Sequence, residues 1–164
     1  MKKIEDLNIK IFADGADINA IKKLSENSLV KGFTTNPTLM RNAGVNDYES
    51  FAKEVLNQIT DRPVSFEVFS DDADGMERQA LKIASWADNV NVKIPITNTK
   101  GESMVPLVGR LSDKGVAINV TAMMTLEQVR AITEVLNEDV FAIVSVFAGR
   151  IADTGIDPIP LMTE

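Results

Sequence analysis

Six short runs of the chain are apolar and rich in residues that favour β-strands. Four of the runs end at or beside a glycine, proline, asparagine, aspartate or serine, residue types that are typical of turns. The sequence therefore predicts six strands. The runs are IKIFAD (9–14), KGFTTN (31–36), VSFEVF (64–69), NVNVKIP (89–95), GVAINVTA (115–122) and VFAIVSVF (140–147).

Between these runs the apolar residues recur at helical spacing, every three or four positions. The clearest sets are Ile18, Ile21 and Leu24; Tyr48, Phe51, Val55 and Ile59; Met76, Ala80, Ile83 and Ala84; and Leu126, Val129, Ile132 and Leu136. A weaker set is Val105, Val108 and Leu111. Strands that alternate with helices are joined by crossovers and lie parallel, so the sequence predicts an α/β fold.

The number of strand–helix units favours one particular α/β architecture. Units of this length build the (β/α)8 TIM barrel, which usually needs about 250 residues. The chain has 164 residues, and we expect it to hold six of the eight units as one domain, residues 1–164, without the last two. A dinucleotide-binding fold is disfavoured, because FADGAD after the first strand holds one glycine and lacks the phosphate-binding pattern.

Composition narrows the classes of function. The chain has no cysteine and no histidine, which excludes disulfides, thiolate nucleophiles and imidazole chemistry, and leaves few ways to bind zinc. We expect no metal and no cofactor. A net charge of -7 argues against nucleic-acid binding, and no apolar run approaches the roughly 18 residues that span a bilayer. The start, MKKIEDLN, is unlike a secretory signal, so we expect a cytoplasmic protein without membrane contact.

Polar side chains gather near the carboxyl ends of the predicted strands. Strand parity places them on the face opposite the aliphatic residues, which in a barrel is the interior face at the catalytic end. Polar residues also collect wherever strands run into loops, so each position alone is weak evidence. The residues on this face are Asp14, Asn36, Glu67, Lys93, Asn119, Thr121 and Ser145.

Lys93 is unusual because it lies within an otherwise apolar strand. Burial favours a neutral amine over an ammonium, and a neutral amine can add to a carbonyl to form a Schiff base. The alternative is a lysine whose stem lies along apolar surface while its ammonium reaches water. Glu67 and Asp14 are the carboxylates available for proton transfer on this face, and Thr121 could hold a water.

The remaining candidates each have a structural alternative. Asn36 and Asn119 could bind substrate hydroxyls or could cap turns and strand ends, and Asp14 could cap the helix that begins near Asp17. Arg150 follows a glycine and with Ser145 could bind a phosphate, or could pair with a nearby aspartate. The segment SDDADG (70–75) is better explained as a loop and helix start than as a calcium loop.

Four segments together resemble the transaldolases, in particular the short transaldolase and fructose-6-phosphate aldolase subfamily. They are KGFTTNPTLM, NVNVKIPIT, GVAINVTAMMTLEQ and SVFAGRIADTG, and the resemblance runs through essentially the whole chain. It implies a metal-free (β/α)8 enzyme of the pentose phosphate pathway that transfers a dihydroxyacetone unit between sugar phosphates. The implied substrates are fructose 6-phosphate, sedoheptulose 7-phosphate, erythrose 4-phosphate and glyceraldehyde 3-phosphate.

The resemblance also implies a role for each motif residue. Lys93 would be the Schiff-base nucleophile, Asp14 the acid and base at the cleaving hydroxyl, and Glu67 with Thr121 would position a proton-relaying water. The residues implied in substrate binding are Asn36 and Asn119 at the dihydroxyacetone part, Ser145 and Arg150 at the phosphate, and Thr35 and Phe147 at the site.

Two positions favour one activity within the subfamily. The aldolase members usually carry glutamine in place of Glu67 and tyrosine in place of Phe147, so this chain resembles the transaldolases at both. The alternatives are a fructose-6-phosphate aldolase and an inactive sugar-phosphate-binding fragment. Family members continue for two further units, so the chain is expected to be truncated, and its open strand edges together with the ring-like assemblies of short members favour a homo-oligomer.

Overall fold

The computed structural model describes residues 3–164 and has six strands that alternate with helices. This confirms the predicted α/β class and the six strand–helix units of an incomplete (β/α)8 barrel. The strands are β1 (Ile11–Asp14), β2 (Val30–Thr34), β3 (Val64–Glu67), β4 (Val90–Pro95), β5 (Ile118–Met123) and β6 (Ala142–Val146). The helices are α1 (Ile18–Ser25), α2 (Pro37–Asn42), α3 (Tyr48–Gln58), α4 (Ala73–Ala84), α5 (Val105–Asp113), α6 (Leu126–Thr133), α7 (Ala148–Asp153) and α8 (Ile159–Thr163), with a 3₁₀ turn at Ile4–Asp6 before β1.

Five helices lie where the helical spacing predicts them, and three short ones were not predicted. The unpredicted helices are α2, α7 and α8, of 6, 6 and 5 residues. An amphipathic period needs about two turns to become visible, so helices of this length leave no clear pattern in the sequence. Helix α2 is set instead by its ends: Asn36 is its N-cap and Pro37 occupies its first position.

The first compact unit contains the chain up to Glu67 together with Trp86–Val90. Its strands lie parallel in the order β1-β2-β3. On the neighbouring strands β1 and β2, Gly32 lets the ring of Phe12 cross close to the backbone, because a Cβ at Gly32 would lie 2.2 Å from that ring. The register pairs Asp14 with Thr34 and Thr34 with Ser65, so the carboxyl ends of these strands lie at the same level.

The second compact unit contains Val68–Ser85 and Asn91–Glu164. Its strands lie parallel in the order β4-β5-β6. The register pairs Lys93 with Asn119. The aliphatic side chains of β4 and β5 form the core with those of the adjoining helices, and the fully buried ones are Val92, Ile94, Val108, Leu111, Ile118, Val120 and Ile132, whereas β6 is only half-buried.

Strand β5 has an irregularity at its carboxyl end. Ala122 has a φ of 64°, and the register of β5 against β6 shifts between Val120 and Met123. A non-glycine residue in this left-handed region is uncommon, and an extra residue of this kind makes a β-bulge that bends the strand. The bulge directly follows Thr121, so the side chains after Thr121 no longer alternate regularly between the two faces of the sheet.

The helices of residues 3–164 are also informative about membranes. None of those described is both long and apolar enough to cross a bilayer.

Candidate active site

In the first unit, Asp14 lies at the end of β1 and is fixed by a neighbouring strand. Thr34 Oγ1 donates a hydrogen bond of 2.6 Å to Asp14 Oδ1. Asp14 does not cap the following helix, since the N-cap of α1 is Asp17, which accepts from the Ala20 amide over 2.7 Å. The alternative of a capping role for Asp14 is therefore wrong, and its exposed carboxylate has a second oxygen that can contact a ligand.

Asn36 takes the structural role that was its alternative. Its Oδ1 accepts from the Leu39 amide over 2.9 Å and caps α2. The cap uses the oxygen, so the Asn36 amide nitrogen can still donate to a ligand. Beside it, Thr35 is buried, and its backbone amide donates to the Ser65 carbonyl over 3.1 Å, which ties the end of β2 to β3.

Glu67, at the end of β3, is half-buried and lies beside an aromatic cluster. Tyr48 Oη donates to the Glu67 carbonyl oxygen over 2.9 Å. The rings of Tyr48, Phe66 and Trp86 meet edge-to-face, with centroids 5.4 to 6.1 Å apart. Burial, and then the negative charge of Glu67, raise the pKa of Tyr48, so its phenol remains a hydrogen-bond donor.

In the second unit, Lys93 is buried in the middle of β4. Its residue is 8% exposed, and its carbonyl accepts from the Val68 amide over 3.1 Å. Parity places its side chain on the face of Asn91 and opposite Val92 and Ile94, which are fully buried. Burial of the whole residue argues against the alternative of a lysine whose side chain runs out to water.

Asn91 lies two residues before Lys93 on the same face of β4. It is 3% exposed, and its amide nitrogen has no hydrogen-bond partner within residues 3–164. Asn89, two residues earlier again, donates to the carbonyls of Ile59 and Arg62 over 2.8 and 2.9 Å. The two asparagines of this strand thus differ, since one is satisfied by backbone and the other is not.

Strands β5 and β6 contribute three further predicted residues to the second unit. Asn119 is 2% exposed and lies beside Lys93 in register. Ser145 Oγ donates to Asn119 Oδ1 over 2.7 Å, which orients the Asn119 side chain. Thr121 is 3% exposed and pairs in register with Pro95, just before the bulge at Ala122.

Arg150 and Phe147 lie at the beginning of α7. They help to line an open concavity of about 500 Å³ with Val146, Ala148, Gly149 and Asp153. Arg150 Nη1 lies 3.2 Å from Asp153 Oδ2, so the alternative ion pair is formed, but both side chains are well exposed. Exposed pairs of this kind contribute little stability, so Arg150 can exchange Asp153 for another anion at small cost.

Each unit therefore gathers part of the predicted set. The first holds Asp14, Thr35, Asn36 and Glu67, and the second holds Lys93, Asn119, Thr121, Ser145, Phe147 and Arg150. Sequence reasoning did not single out Tyr48, Thr34 or Asn91. Thr34 and Asn91 share the strand faces of the predicted residues, which was a usable signal, whereas the helical spacing of Tyr48 indicated only a core residue.

The acidic segment 70–75 begins α4, as predicted, because Asp72 accepts from the Gly75 amide over 2.7 Å and is the N-cap. No group of three or more acidic side chains that could hold a metal ion occurs among the described residues, which here means 3–164.

Comparison with known proteins gives one consistent result. Residues 11–164 match the family described as Transaldolase/Fructose-6-phosphate aldolase. A probable transaldolase of Dehalococcoides mccartyi is 37% identical over 156 residues, which cover 95% of this chain and 68% of that protein. Probable transaldolases of Streptococcus pyogenes serotypes M5 and M49 are 38% identical over the same shares. The family match includes every predicted site residue.

Proposed function

Because this chain belongs to the transaldolase/fructose-6-phosphate aldolase family, we propose that it is a transaldolase that transfers a dihydroxyacetone unit between sugar phosphates through a lysine Schiff base. The observation that carries the proposal is the burial of Lys93 within a parallel strand, beside Asn119 in register. A lysine amine can add to the carbonyl carbon of a ketose to form a Schiff base.

The proposed reaction begins at Lys93. Its amine adds to the ketone carbon of the donor sugar phosphate, and the carbinolamine then loses water to give a protonated imine. Glu67 and Thr121 would position the water that carries protons during this dehydration. Their residue types suit the task, since a carboxylate accepts hydrogen bonds and a hydroxyl both donates and accepts.

Carbon–carbon cleavage follows from the positive charge of the imine. Asp14 would take the proton of the hydroxyl on the carbon that departs, the bond to that carbon breaks, and its electrons enter the imine to form an enamine. The departing fragment leaves as an aldose phosphate. The enamine then attacks the aldehyde carbon of an acceptor, Asp14 returns its proton to the new hydroxyl, and hydrolysis of the imine releases the product.

The remaining predicted residues would bind the substrate. Asn36 and Asn119 are proposed to hold the dihydroxyacetone part, Ser145 and Arg150 the phosphate, and Thr35 and Phe147 to complete the substrate site. Fructose 6-phosphate and sedoheptulose 7-phosphate would be donors, and erythrose 4-phosphate and glyceraldehyde 3-phosphate acceptors, as in the pentose phosphate pathway. The carboxylate of Glu67 and the absence of a phenol at Phe147 support transfer over release of free dihydroxyacetone, and homo-oligomer formation stays a prediction.

Borohydride reduction tests the proposal directly. The protein is incubated with fructose 6-phosphate, reduced, and measured by intact mass and peptide mapping, and we expect one dihydroxyacetone adduct on Lys93. Lys93→Arg should abolish the adduct, whereas Lys100→Arg, which changes an exposed lysine, should retain it. An adduct that survives in Lys93→Arg would show that another lysine reacts, and no adduct in the unaltered protein would overturn the proposed activity.

Product analysis separates transfer from simple aldol cleavage. A transaldolase should form sedoheptulose 7-phosphate when erythrose 4-phosphate is added, and should release little dihydroxyacetone without an acceptor. Free dihydroxyacetone released at a comparable rate without an acceptor would assign the chain to the aldolase activity instead.

A further inference from the structure

We infer that Tyr48 is a positioning residue that acts through Glu67, by fixing the end of β3 from which the Glu67 carboxylate projects. The inference rests on the proposed function, in which Glu67 serves the proton transfers of Schiff-base formation. It adds a role for Tyr48, a residue of α3 that was not among the predicted site residues.

The contact with Glu67 is direct. Tyr48 Oη donates to the Glu67 carbonyl oxygen over 2.9 Å, a good distance for this type of bond. Glu67 is the last residue of β3, and the peptide group that follows it is held on its amide side, since the Val68 amide donates to the Lys93 carbonyl over 3.1 Å; the bond from Tyr48 holds its carbonyl side. A hydrogen bond to this carbonyl therefore limits rotation of the peptide plane that carries the catalytic side chain.

The phenol is itself held from two sides. Tyr48 is the first residue of α3, whose N-cap Asp47 accepts from the Ser50 amide over 3.1 Å and from the Ser50 hydroxyl over 2.8 Å. Its ring packs edge-to-face on Phe66 at 6.1 Å and on Trp86 at 5.4 Å. Phe66 is fully buried and directly precedes Glu67, so the ring contact and the hydrogen bond act on adjacent residues of β3.

Tyr48 and Glu67 also interact electrostatically. The charge of Glu67 is the second cause, after burial, of the raised pKa of Tyr48. The raised pKa keeps the phenol protonated, so the hydroxyl donates at every pH at which sugar-phosphate chemistry would be measured. Catalysis is sensitive to such support, because a displacement of about 1 Å in a reacting group can cost on the order of 100-fold in rate.

Tyr48→Phe removes the hydroxyl and keeps the ring. We expect kcat to fall about 5- to 20-fold with KM changed by less than about twofold, because the substrate contacts stay and the proton relay loses its fixed position. In single-turnover trapping with borohydride, the rate of adduct formation should fall by the same factor. The final amount of adduct on Lys93 should remain that of the unaltered protein.

A double-mutant cycle tests whether Tyr48 acts through Glu67. Glu67→Ala removes the side chain that would position the water. In that background Tyr48→Phe should cost less than about twofold in kcat, because the function that it supports is already lost. A second loss of the full factor, or an unchanged kcat for Tyr48→Phe alone, would overturn the inference.

Trp86→Phe is the matched control for loss of packing. The indole nitrogen of Trp86 is buried and has no hydrogen-bond partner among the described residues, so this change removes ring contact but no hydrogen bond. We expect a fall in melting temperature at least as large as for Tyr48→Phe and a change in kcat below about twofold. A kcat loss in Trp86→Phe as large as that in Tyr48→Phe would assign the effect to packing and overturn the inference.

If Tyr48→Phe does not fold, fluorinated tyrosine decides the question. Tyr48 is the one tyrosine of the chain, so global incorporation of difluorotyrosine alters this site alone. The fluorines make the phenol more acidic, so kcat should show a decline at alkaline pH that the unaltered protein, whose phenol stays protonated, does not show, as the donor becomes phenolate. An unshifted pH profile would overturn the inference, whereas failure to trap Lys93 in the unaltered protein would overturn the proposed function as well.

Discussion

Ser145 donates a hydrogen bond to Asn119 Oδ1 over 2.7 Å, and Asn119 is the register partner of Lys93. A serine hydroxyl has one proton to donate, and here the donation goes to an amide oxygen. Ser145 was predicted to bind phosphate, a role that needs this same proton. The hydrogen bond therefore gives Ser145 a second role that can be tested, which is to fix the orientation of the Asn119 amide beside Lys93.

Ser145→Ala distinguishes these two roles. If Ser145 orients Asn119, kcat/KM should fall by about 10-fold for phosphorylated and unphosphorylated ketoses alike, because the loss of a hydrogen bond to a buried amide costs roughly 1 to 2 kcal/mol. The measurement is steady-state kinetics with fructose 6-phosphate and fructose. A loss confined to fructose 6-phosphate would return Ser145 to phosphate binding alone.

Arg150 should affect the phosphate specifically. Arg150→Gln should raise KM for fructose 6-phosphate by about 10- to 100-fold and leave the kinetics with fructose little changed, since a guanidinium contributes a charge-assisted hydrogen bond to an anion. Asp153→Asn is a control in which the guanidinium of Arg150 is kept and its acidic partner is lost. It removes the exposed acidic partner of Arg150, and KM for fructose 6-phosphate should fall or stay constant. Equal losses on both substrates in Arg150→Gln would contradict the assignment.

The two asparagines of β4 should respond oppositely to substitution by valine. Asn91→Val removes a buried amide nitrogen without a described partner, and the free energy of unfolding should rise by roughly 1 kcal/mol. Asn89→Val removes two hydrogen bonds to backbone carbonyls and should lower it by roughly 2 kcal/mol. Urea denaturation measures both. Destabilisation by Asn91→Val would show that the amide has a partner, such as a bound water.

Alkaline pH should weaken the fold through Tyr48. The pKa of this phenol is raised in the folded chain, and the unfolded chain ionises at about pH 10. The stabilisation is therefore fully present below about pH 10 and declines as pH rises above it, because the unfolded state loses its proton first. The difference in unfolding free energy between the unaltered protein and Tyr48→Phe should shrink over this range. Absorbance should show tyrosinate forming together with unfolding, and ionisation in the folded protein would contradict the prediction.

The sequence predicted the features that depend on strand parity. Val92 and Ile94 indicate the aliphatic face of β4, so Lys93 falls on the opposite face, and its burial agrees with the prediction that it is not an ordinary surface lysine. The six strands, the α/β class and the resemblance to the transaldolase and fructose-6-phosphate aldolase family are confirmed. The roles of the site residues stay predictions, because no substrate contact has been observed.

The features that the sequence did not predict arise from tertiary contacts. The bulge at Ala122 interrupts parity, and alanine carries no preference that would mark a left-handed residue. Helix α2 is too short to display a period, although Asn36 followed by proline was a usable start signal. The bond from Tyr48 to Glu67 joins residues 19 positions apart, and nothing local in either segment encodes it.

The cap of α2 gives Asn36 a fixed polarity. With its oxygen directed at the Leu39 amide, the side chain turns its two N–H donors away from the helix start, where they suit a sugar oxygen that offers a lone pair. Aspartate caps helices as well as asparagine does. Asn36→Asp would therefore keep the N-cap of α2 but replace the two N–H donors with a carboxylate oxygen that accepts hydrogen bonds. The start of the helix and the preference for a ligand can thus be changed separately at this position.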